Sequence, residues 1–143
     1  AEKLRLLGEQ RYNIASVIEI IRNKKRPATL IIDDVETTND FCFIIACNTK
    51  YVGKGMKMAP EAVIDDGLMD LIVVKQNSRS TLLSIFPKLF NGEHISHPAC
   101  EYIKCRKFSI EPEQNDPLNI DGEIIGCAPV DVELIENGIE LLV

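Results

Sequence analysis

The chain has 143 residues, a formal net charge of -6 and a hydrophobic fraction of 45%. This length is typical of one domain that buries its own core, and the acidic balance argues against a nucleic-acid partner, because phosphate binding needs a basic face. Since the 5 cysteines cannot all pair with one another, we expect free thiols and a reducing, cytoplasmic setting. No stretch of the sequence approaches the ~20 apolar residues of a membrane span.

The first predicted element is an amphipathic helix over residues 12–22. Pro27 prevents its continuation, and the preceding basic run at residues 24–26 complements the helix dipole. A membrane-surface patch is the alternative interpretation of this run, and it would give the protein a peripheral association with membranes. Four apolar residues recur at helical spacing: Ile14, Val17, Ile18 and Ile21.

Most of the remaining sequence predicts short strands. The polar residues 33–40 are expected to connect the first two strands, and Asn137-Gly138 predicts a hairpin between the last two. Because strands do not alternate regularly with helices, we predict a mostly β fold: an antiparallel β-sandwich with two helices, α+β overall, as a single domain over 1–143. The predicted strands lie at residues 28–33, 41–48, 71–74, 108–111, 130–135 and 139–143.

The second predicted helix runs from Ser80, as its N-cap, to Phe90, and Asn91-Gly92 ends it. Pro87 in its middle is unfavourable, because an interior proline removes a backbone hydrogen bond. The apolar face of this helix is interpreted either as core or as the wall of an apolar cavity. Its members are Leu82, Leu83, Phe86, Leu89 and Phe90.

The run from Gly53 to Asp70 is the most concentrated chemical motif in the sequence. Asp65, Asp66 and Asp70 repel one another unless a cation, backbone donors or water compensates their charge. A solvated acidic hairpin and a cation site both explain this pattern. Four potential zinc ligands follow later in the chain, but their spacing matches no common zinc finger. These are His94, His97, Cys100 and Cys105.

Two further segments carry charged side chains at informative spacings. Asp121 and Glu123 flank Gly122, and a turn there presents two carboxylates that can bind a cation or position a proton acceptor. An ordinary surface hairpin is the alternative. Arg5 and Arg11 flank a glycine break, and two guanidinium groups placed in this way suit a polyphosphate. The alternative is two surface arginines paired with nearby glutamates.

Taken in order, these segments resemble the C-terminal half of the diacylglycerol kinase catalytic superfamily of lipid kinases. The resemblance rests on Gly-x-Gly-Met-x-x-Ala-Pro-x-Ala-x-x-Asp-Asp-Gly-Leu-x-Asp at 53–70 and on Ile-Asp-Gly-Glu at 120–123. The opening Glu-Lys-x-Arg-x-Leu-Gly-Glu-x-Arg-Tyr at 2–12 is most similar to the sphingosine kinases.

This resemblance implies a two-domain enzyme that transfers the γ-phosphoryl group of ATP, with Mg²⁺, to the hydroxyl of a lipid such as a sphingoid base or diacylglycerol. The present chain would be its C-terminal β-sandwich domain. The N-terminal domain of the same protein would carry the nucleotide-binding Gly-Gly-Asp-Gly motif, which this chain lacks. We therefore expect the chain alone to be inactive. A non-catalytic lipid-binding or regulatory module of the same fold is the alternative.

The resemblance also implies roles for individual residues. Glu123 would act as a proton acceptor or contact the nucleotide. A structural magnesium ion would be held by Asp66 with the backbone carbonyls of Val63 and Leu68, although Lys54 stands where the bacterial pattern has glycine. The nucleotide-binding set would comprise Arg5, Arg11, Asp121, Gly122 and Glu123. The wall of the lipid channel would include Leu82, Phe86, Leu89, Phe90 and His94.

Overall fold

The computed structural model describes residues 24–53 and 55–140. The predicted helix over 12–22, Arg5, Arg11 and Lys54 lie outside the described residues. Within the described ranges there is one α-helix, α1 (Arg79–Ile85), followed by two short 3-10 helices, Phe86–Leu89 and Glu93–Ser96. The strands are β1 (Arg26–Ile32), β2 (Val35–Cys47), β3 (Met69–Lys75), β4 (Cys100–Cys105), β5 (Lys107–Pro112), β6 (Pro117–Ile120), β7 (Glu123–Cys127) and β8 (Val130–Glu133).

The strands form a six-stranded sheet in the order β4-β3-β2-β1-β5-β8 and a two-stranded sheet of β6 and β7. Every neighbouring pair is antiparallel. The prediction of a mostly antiparallel β fold is therefore confirmed. No helix within residues 24–53 and 55–140 is long and apolar enough to cross a membrane.

Strand β3 is the centre of the core. Its residues from Met69 to Val74 are all buried, and alternate side chains point to opposite faces of the sheet. Leu71 and Val73 belong to one apolar cluster, whereas Ile72 and Val74 belong to another. Apart from Asp70 and Lys75, the side chains of this strand are apolar, because both of its faces are covered.

The cluster around Ile72 and Val74 is covered by α1, by the first 3-10 helix and by the loop at residues 58–62. The cluster around Leu71 and Val73 is formed by side chains of β1, β2, β4 and β5. The strand that carries Asp70 at its beginning is thus held from two sides.

Strand β2 is longer than predicted, because it includes polar residues that were expected to form a loop. The connection between β1 and β2 is reduced to Asp33 and Asp34, whose φ angles are 44° and 70°. Aspartate tolerates this left-handed conformation better than most residues. The polar residues 36–39 of β2 are exposed, and Thr38 pairs with Thr29 through hydroxyl oxygens 2.9 Å apart. Cross-strand pairing, which composition does not reveal, extends the strand.

The second predicted helix is confirmed in place but was wrong in detail. Ser78, not Ser80, is the N-cap, and its hydroxyl oxygen accepts a hydrogen bond of 3.2 Å from the Thr81 amide. The α-helix ends at Ile85, and Pro87 lies in the first turn of the 3-10 helix that follows. Proline is tolerated there because a first-turn amide has no partner within the helix.

The predicted strand at 139–143 was wrong for the residues that the structure describes. Asn137 has a positive φ of 54° and lies in a turn, but Ile139 and Glu140 are not in a strand. The amide of Gly138 donates a hydrogen bond of 3.4 Å to the carbonyl of Ile135. The turn residues are therefore present, but residues 139–140, the described part of the predicted strand, do not pair with β8. Strand β8 pairs with β5.

Candidate functional site

The Asp121-Gly122 turn joins β6 to β7 and presents two carboxylates. Asp121 has a φ of 51° and Gly122 has a φ of 91°, and the Gly122 amide donates a hydrogen bond of 3.0 Å to the side-chain oxygen of Asn119. Glu123 is the first residue of β7, opposite Ile120. Both Asp121 and Glu123 are exposed. The turn therefore holds these carboxylates at the tip of a hairpin, where an incoming molecule can reach them.

The surroundings of this turn are unusually apolar for an exposed hairpin. Ile120, Ile124 and Ile125 have exposed fractions of 47%, 72% and 53%. Large exposed apolar side chains beside charged ones are common where a protein contacts a ligand or a neighbouring domain. The predicted nucleotide residues of this segment are thus accessible, while Arg5 and Arg11 lie outside the described residues.

The acidic turn before β3 has a different environment. Asp66 accepts a hydrogen bond of 3.0 Å from the Leu68 amide at one carboxylate oxygen, and a hydrogen bond of 2.9 Å from the Lys104 ammonium at the other. Lys104 also donates a hydrogen bond of 3.1 Å to the carbonyl of Glu61. A lysine of β4 therefore compensates the negative charge of Asp66.

Asp70, the third carboxylate of the run, is fully buried. Its Oδ1 accepts a hydrogen bond of 2.6 Å from the Tyr102 hydroxyl and lies 3.3 Å from the Lys104 ammonium. Its Oδ2 is buried and has no hydrogen-bond partner within residues 24–53 and 55–140. Asp65, in contrast, is exposed. A buried carboxylate is costly unless it is paired, so Tyr102 and Lys104 stabilise the beginning of β3.

The ionisation of these groups reflects their contacts. The hydrogen bond from Lys104, followed by that from the Leu68 amide, lowers the pKa of Asp66, and the bond to Asp66 raises the pKa of Lys104. Burial, reinforced by the hydrogen bond to Asp70, raises the pKa of Tyr102. At neutral pH the cluster thus contains a charged lysine and a neutral tyrosine.

Lys104 and Tyr102 were missed as members of this site. They alternate along β4 and therefore share one face of the strand, and the register places Lys104 directly opposite Asp70. A lysine and a tyrosine two residues apart, on the same face of one strand, are a usable signal. The strand pairing that aims them at Asp70 is not a local property of the sequence.

These contacts fit a magnesium ion at Asp66 poorly. Magnesium needs an octahedral shell of oxygen atoms at about 2.0–2.1 Å, whereas both carboxylate oxygens of Asp66 are already engaged by N–H donors. Leu68 contributes its amide to Asp66, and Val63 has an exposed fraction of 46%. The assignment of magnesium to Val63, Asp66 and Leu68 stays a prediction.

The potential zinc ligands do not form a metal site. Within the described part of the chain, no group of three or more histidine, cysteine, aspartate or glutamate side chains is placed to hold a metal ion. Cys100 and Cys105 are buried free thiols, and burial raises the pKa of each to about 11. Both therefore remain protonated, as expected for thiols that belong to the core.

The predicted lipid-channel residues lie mainly in the core that covers β3. Leu82 and Leu89 are buried there, and Phe86 packs against the same cluster. Phe90 has an exposed fraction of 38% and meets Phe86 edge to face, with ring centroids 5.9 Å apart. The two phenylalanines form the outer side of this helical segment, where an apolar ligand could approach.

His94 is fully buried in the second 3-10 helix and contacts both the first 3-10 helix and the loop at 58–62. Its Nε2 lies 2.9 Å from the carbonyl oxygen of Met58, and its Nδ1 lies 3.4 Å from that of Lys88. Burial lowers the pKa of the imidazole. The shorter contact assigns the single N–H of the neutral ring to Nε2, so His94 donates to Met58 and fixes the second 3-10 helix on the loop at 58–62.

The basic run at 24–26 borders a pocket of about 300 Å³, whose opposite side is formed by residues 114–117. Arg26 lies 3.7 Å from the Asp116 carboxylate and donates to the carbonyl of Cys42 at 3.5 Å. One of the three cations is therefore engaged within the protein, which weakens the interpretation of this run as a membrane-surface patch.

The described residues thus form an antiparallel β domain with an exposed Asp-Gly-Glu hairpin and with an acidic turn that is paired with a lysine. Residues 1–143 match the model of the YegS C-terminal NAD kinase beta sandwich-like domain. The chain belongs to this family of diacylglycerol kinase-like lipid kinase domains. The resemblance stated from the sequence is thereby confirmed.

Individual relatives carry the names of lipid kinases. A diacylglycerol kinase of Mycobacterium tuberculosis is 28% identical over 137 residues, which are 94% of this chain and 44% of that protein. Sphingosine kinase 1 of Arabidopsis thaliana is 30% identical over 97 residues, which are 63% of this chain and 20% of that protein.

A crystal structure of a diacylglycerol kinase from Bacillus anthracis has the same fold, with a TM-score of 0.75 at 21% identity. The match covers 95% of this chain and 46% of that chain. The chain therefore spans less than half the length of the relatives it matches.

Proposed function

We propose that this chain is the C-terminal domain of an ATP-dependent lipid kinase that phosphorylates a lipid hydroxyl. The observation that carries the proposal is the family match over residues 1–143, together with relatives named diacylglycerol kinase and sphingosine kinase. The chain covers 44% of the M. tuberculosis protein, which supports a second, N-terminal domain that binds the nucleotide. A sphingoid base and diacylglycerol are the two candidate substrates.

Glu123 is our candidate for the carboxylate that this domain contributes to the reaction. It lies at an exposed hairpin tip beside Asp121 and Gly122, and this position supports contact with groups carried by a neighbouring domain. A carboxylate there can accept the proton of the lipid hydroxyl or orient the nucleotide. Magnesium bound with ATP would neutralise charge on the transferred phosphoryl group. Arg5 and Arg11 would bind phosphate oxygens.

The lipid would lie along the segment that contains Phe86 and Phe90. Leu82, Leu89 and His94 would hold this segment from behind, because all three are buried in the structure. Transfer of an acyl chain from water to an apolar surface is worth about 0.8 kcal/mol per buried CH₂. Such a contact binds any long chain and discriminates poorly between head groups, which is why two substrate classes remain in the proposal.

The first experiment measures transfer of labelled γ-phosphate by the full-length protein to a panel of lipids. We expect phosphorylation of diacylglycerol or of a sphingoid base, and none by the 143-residue chain alone. Turnover by this chain alone would contradict the need for a second domain. Lipid binding without phosphorylation by the full-length protein would favour a non-catalytic lipid-binding or regulatory module.

The second experiment tests Glu123 with the substitution Glu123→Gln in the full-length protein. Loss of a positioned base or charge stabiliser lowers kcat by about 10²-fold or more. Glu111→Gln is the matched control, since Glu111 is also an exposed glutamate on a strand but lies in the six-stranded sheet. Equal kcat values for both variants would remove Glu123 from the mechanism, provided that both keep the wild-type unfolding midpoint.

A further inference from the structure

The cation position at the acidic turn is built from oxygen atoms of three residues of one segment, Glu61, Asp66 and Asp70. The Lys104 ammonium lies 2.9 Å from Asp66 Oδ2, 3.1 Å from the carbonyl oxygen of Glu61 and 3.3 Å from Asp70 Oδ1. An ammonium group has three N–H donors and no acceptor. The three donors thus match three oxygen acceptors, at distances that suit hydrogen bonds and exceed those of a magnesium shell.

The position of the ammonium is fixed by the sheet. Lys104 is opposite Asp70 in the β3–β4 pairing, and its neighbour on the same face, Tyr102, donates to the same Asp70 oxygen. The Lys104 side chain has an exposed fraction of 30% and that of Asp66 has 24%, so the pair is partly shielded from water. The ammonium therefore binds these oxygens without the loss of translational entropy that accompanies the binding of a free ion.

A divalent ion at Asp66 would have to displace this ammonium or approach it within a few ångströms. Like charges at such a distance repel strongly where water screens them only in part. Displacement is also unfavourable, because it would leave Asp70, which is fully buried, without its cation. Both routes disfavour the structural magnesium ion that the family resemblance implies.

We propose that the Lys104 ammonium is the permanent cation of this turn and takes the place of a divalent metal ion at Asp66. The turn before β3 is then held in the same way whether or not magnesium is present. This inference concerns the architecture of the domain and is independent of the proposed kinase reaction.

The test is thermal unfolding of the full-length protein without nucleotide, in a chelator and in millimolar MgCl₂. We expect magnesium to shift the unfolding midpoint of the wild type and of Asp66→Asn by the same amount, because no ion binds at Asp66. For Lys104→Met we expect a new magnesium-dependent rise of several degrees, since an ion at about ten times its Kd shifts the unfolding equilibrium about 11-fold. The double variant Lys104→Met, Asp66→Asn should lose that rise.

Lys107→Met is the matched control, because Lys107 also pairs with an aspartate, Asp34, but on the exposed hairpin end. It should respond to magnesium as the wild type does. A magnesium-dependent rise in the wild type that Asp66→Asn abolishes would overturn the proposal, and this comparison holds even when Lys104→Met does not fold. A folded Lys104→Met protein that gains no magnesium response would overturn it as well.

Discussion

We predict that the effect of Asp70→Asn on the stability of the protein changes sign when Lys104 is also replaced. In the wild-type protein, Asp70→Asn weakens the 2.6 Å hydrogen bond from Tyr102 and removes the ion pair with Lys104. Hydrogen bonds to charged groups are worth about 1.5–3 kcal/mol, so we expect a destabilisation of about 1–3 kcal/mol. In a Lys104→Met background the same substitution should stabilise the protein, because it neutralises a buried charge that has lost its cation.

The size of this reversal follows from the environment of the pair. Breaking a buried ion pair costs about 3–5 kcal/mol, mainly because one charge is left uncompensated. Asp70 is fully buried, but the Lys104 side chain has an exposed fraction of 30%, so water screens the pair in part. We therefore expect a coupling energy of about 2–3 kcal/mol between the two substitutions, below the upper end of that range.

Hydrogen exchange of the β3 and β4 amides in the full-length protein is the appropriate assay, because it reports the opening of this sheet even when other regions unfold separately. The wild type, both single variants and the double variant complete a thermodynamic cycle. Asp70→Asn effects of the same sign in both backgrounds would refute the reasoning. So would a cycle that is additive within about 0.5 kcal/mol, the scatter expected for independent sites.

Two further predictions concern buried features of the fold. Burial lowers the folded-state pKa of His94 below its ordinary value of 6.5, so the unfolded chain binds the proton first and stability falls as the pH drops below 6.5. His94→Gln should reduce the slope of the unfolding free energy against pH by at most about 1.4 kcal/mol per pH unit, which is the slope for one proton. Equal slopes for the wild type and this variant, measured by urea unfolding at pH 5–7, would contradict the prediction. Gly92→Ala should destabilise more than Gly122→Ala in the same urea experiments. Both positions have positive φ, so a side chain costs about 1–2 kcal/mol at either one. Only at Gly92 would the added Cβ also contact Pro60, at 3.1 Å. Equal losses of stability in the two variants would show that Pro60 moves to make room.

The fold could be predicted where the signals are local. The apolar run at 71–74 lies within β3, and the Asp121-Gly122 turn was read directly from its residue types. The extension of β2 through polar residues could not be predicted, because pairing with β1 determines it. Likewise, Ser78 and Ser80 are equally good caps by composition, and only the bond from Thr81 identifies Ser78.

The candidate site divides in the same way. The exposed carboxylates of Asp121 and Glu123 are neighbours in the sequence, so their turn was predicted. The contact between Asp66 and Lys104 joins residues 38 apart, and that between Asp70 and Tyr102 joins residues 32 apart. Both depend on the β3–β4 register, which a single sequence does not reveal. The acidic run was therefore recognised as a motif whose charges need compensation, while its contacts with Lys104 and Tyr102 were not.

The three aspartates of the glycine-rich run illustrate why a charge pattern leaves its own explanation open. Asp65 is solvated, Asp66 is paired with Lys104, and Asp70 is buried with Tyr102 and Lys104. The negative charge of each aspartate is thus compensated in a different way, and none of the three requires a bound metal ion. These contacts hold the loop before β3 against β3, the central strand of the core. The motif therefore contributes to the stability of the fold. The phosphoryl-transfer proposal then depends on Glu123, whose hairpin belongs to the other sheet, so substitutions at Lys104 should change stability and leave the kcat of the folded kinase unchanged.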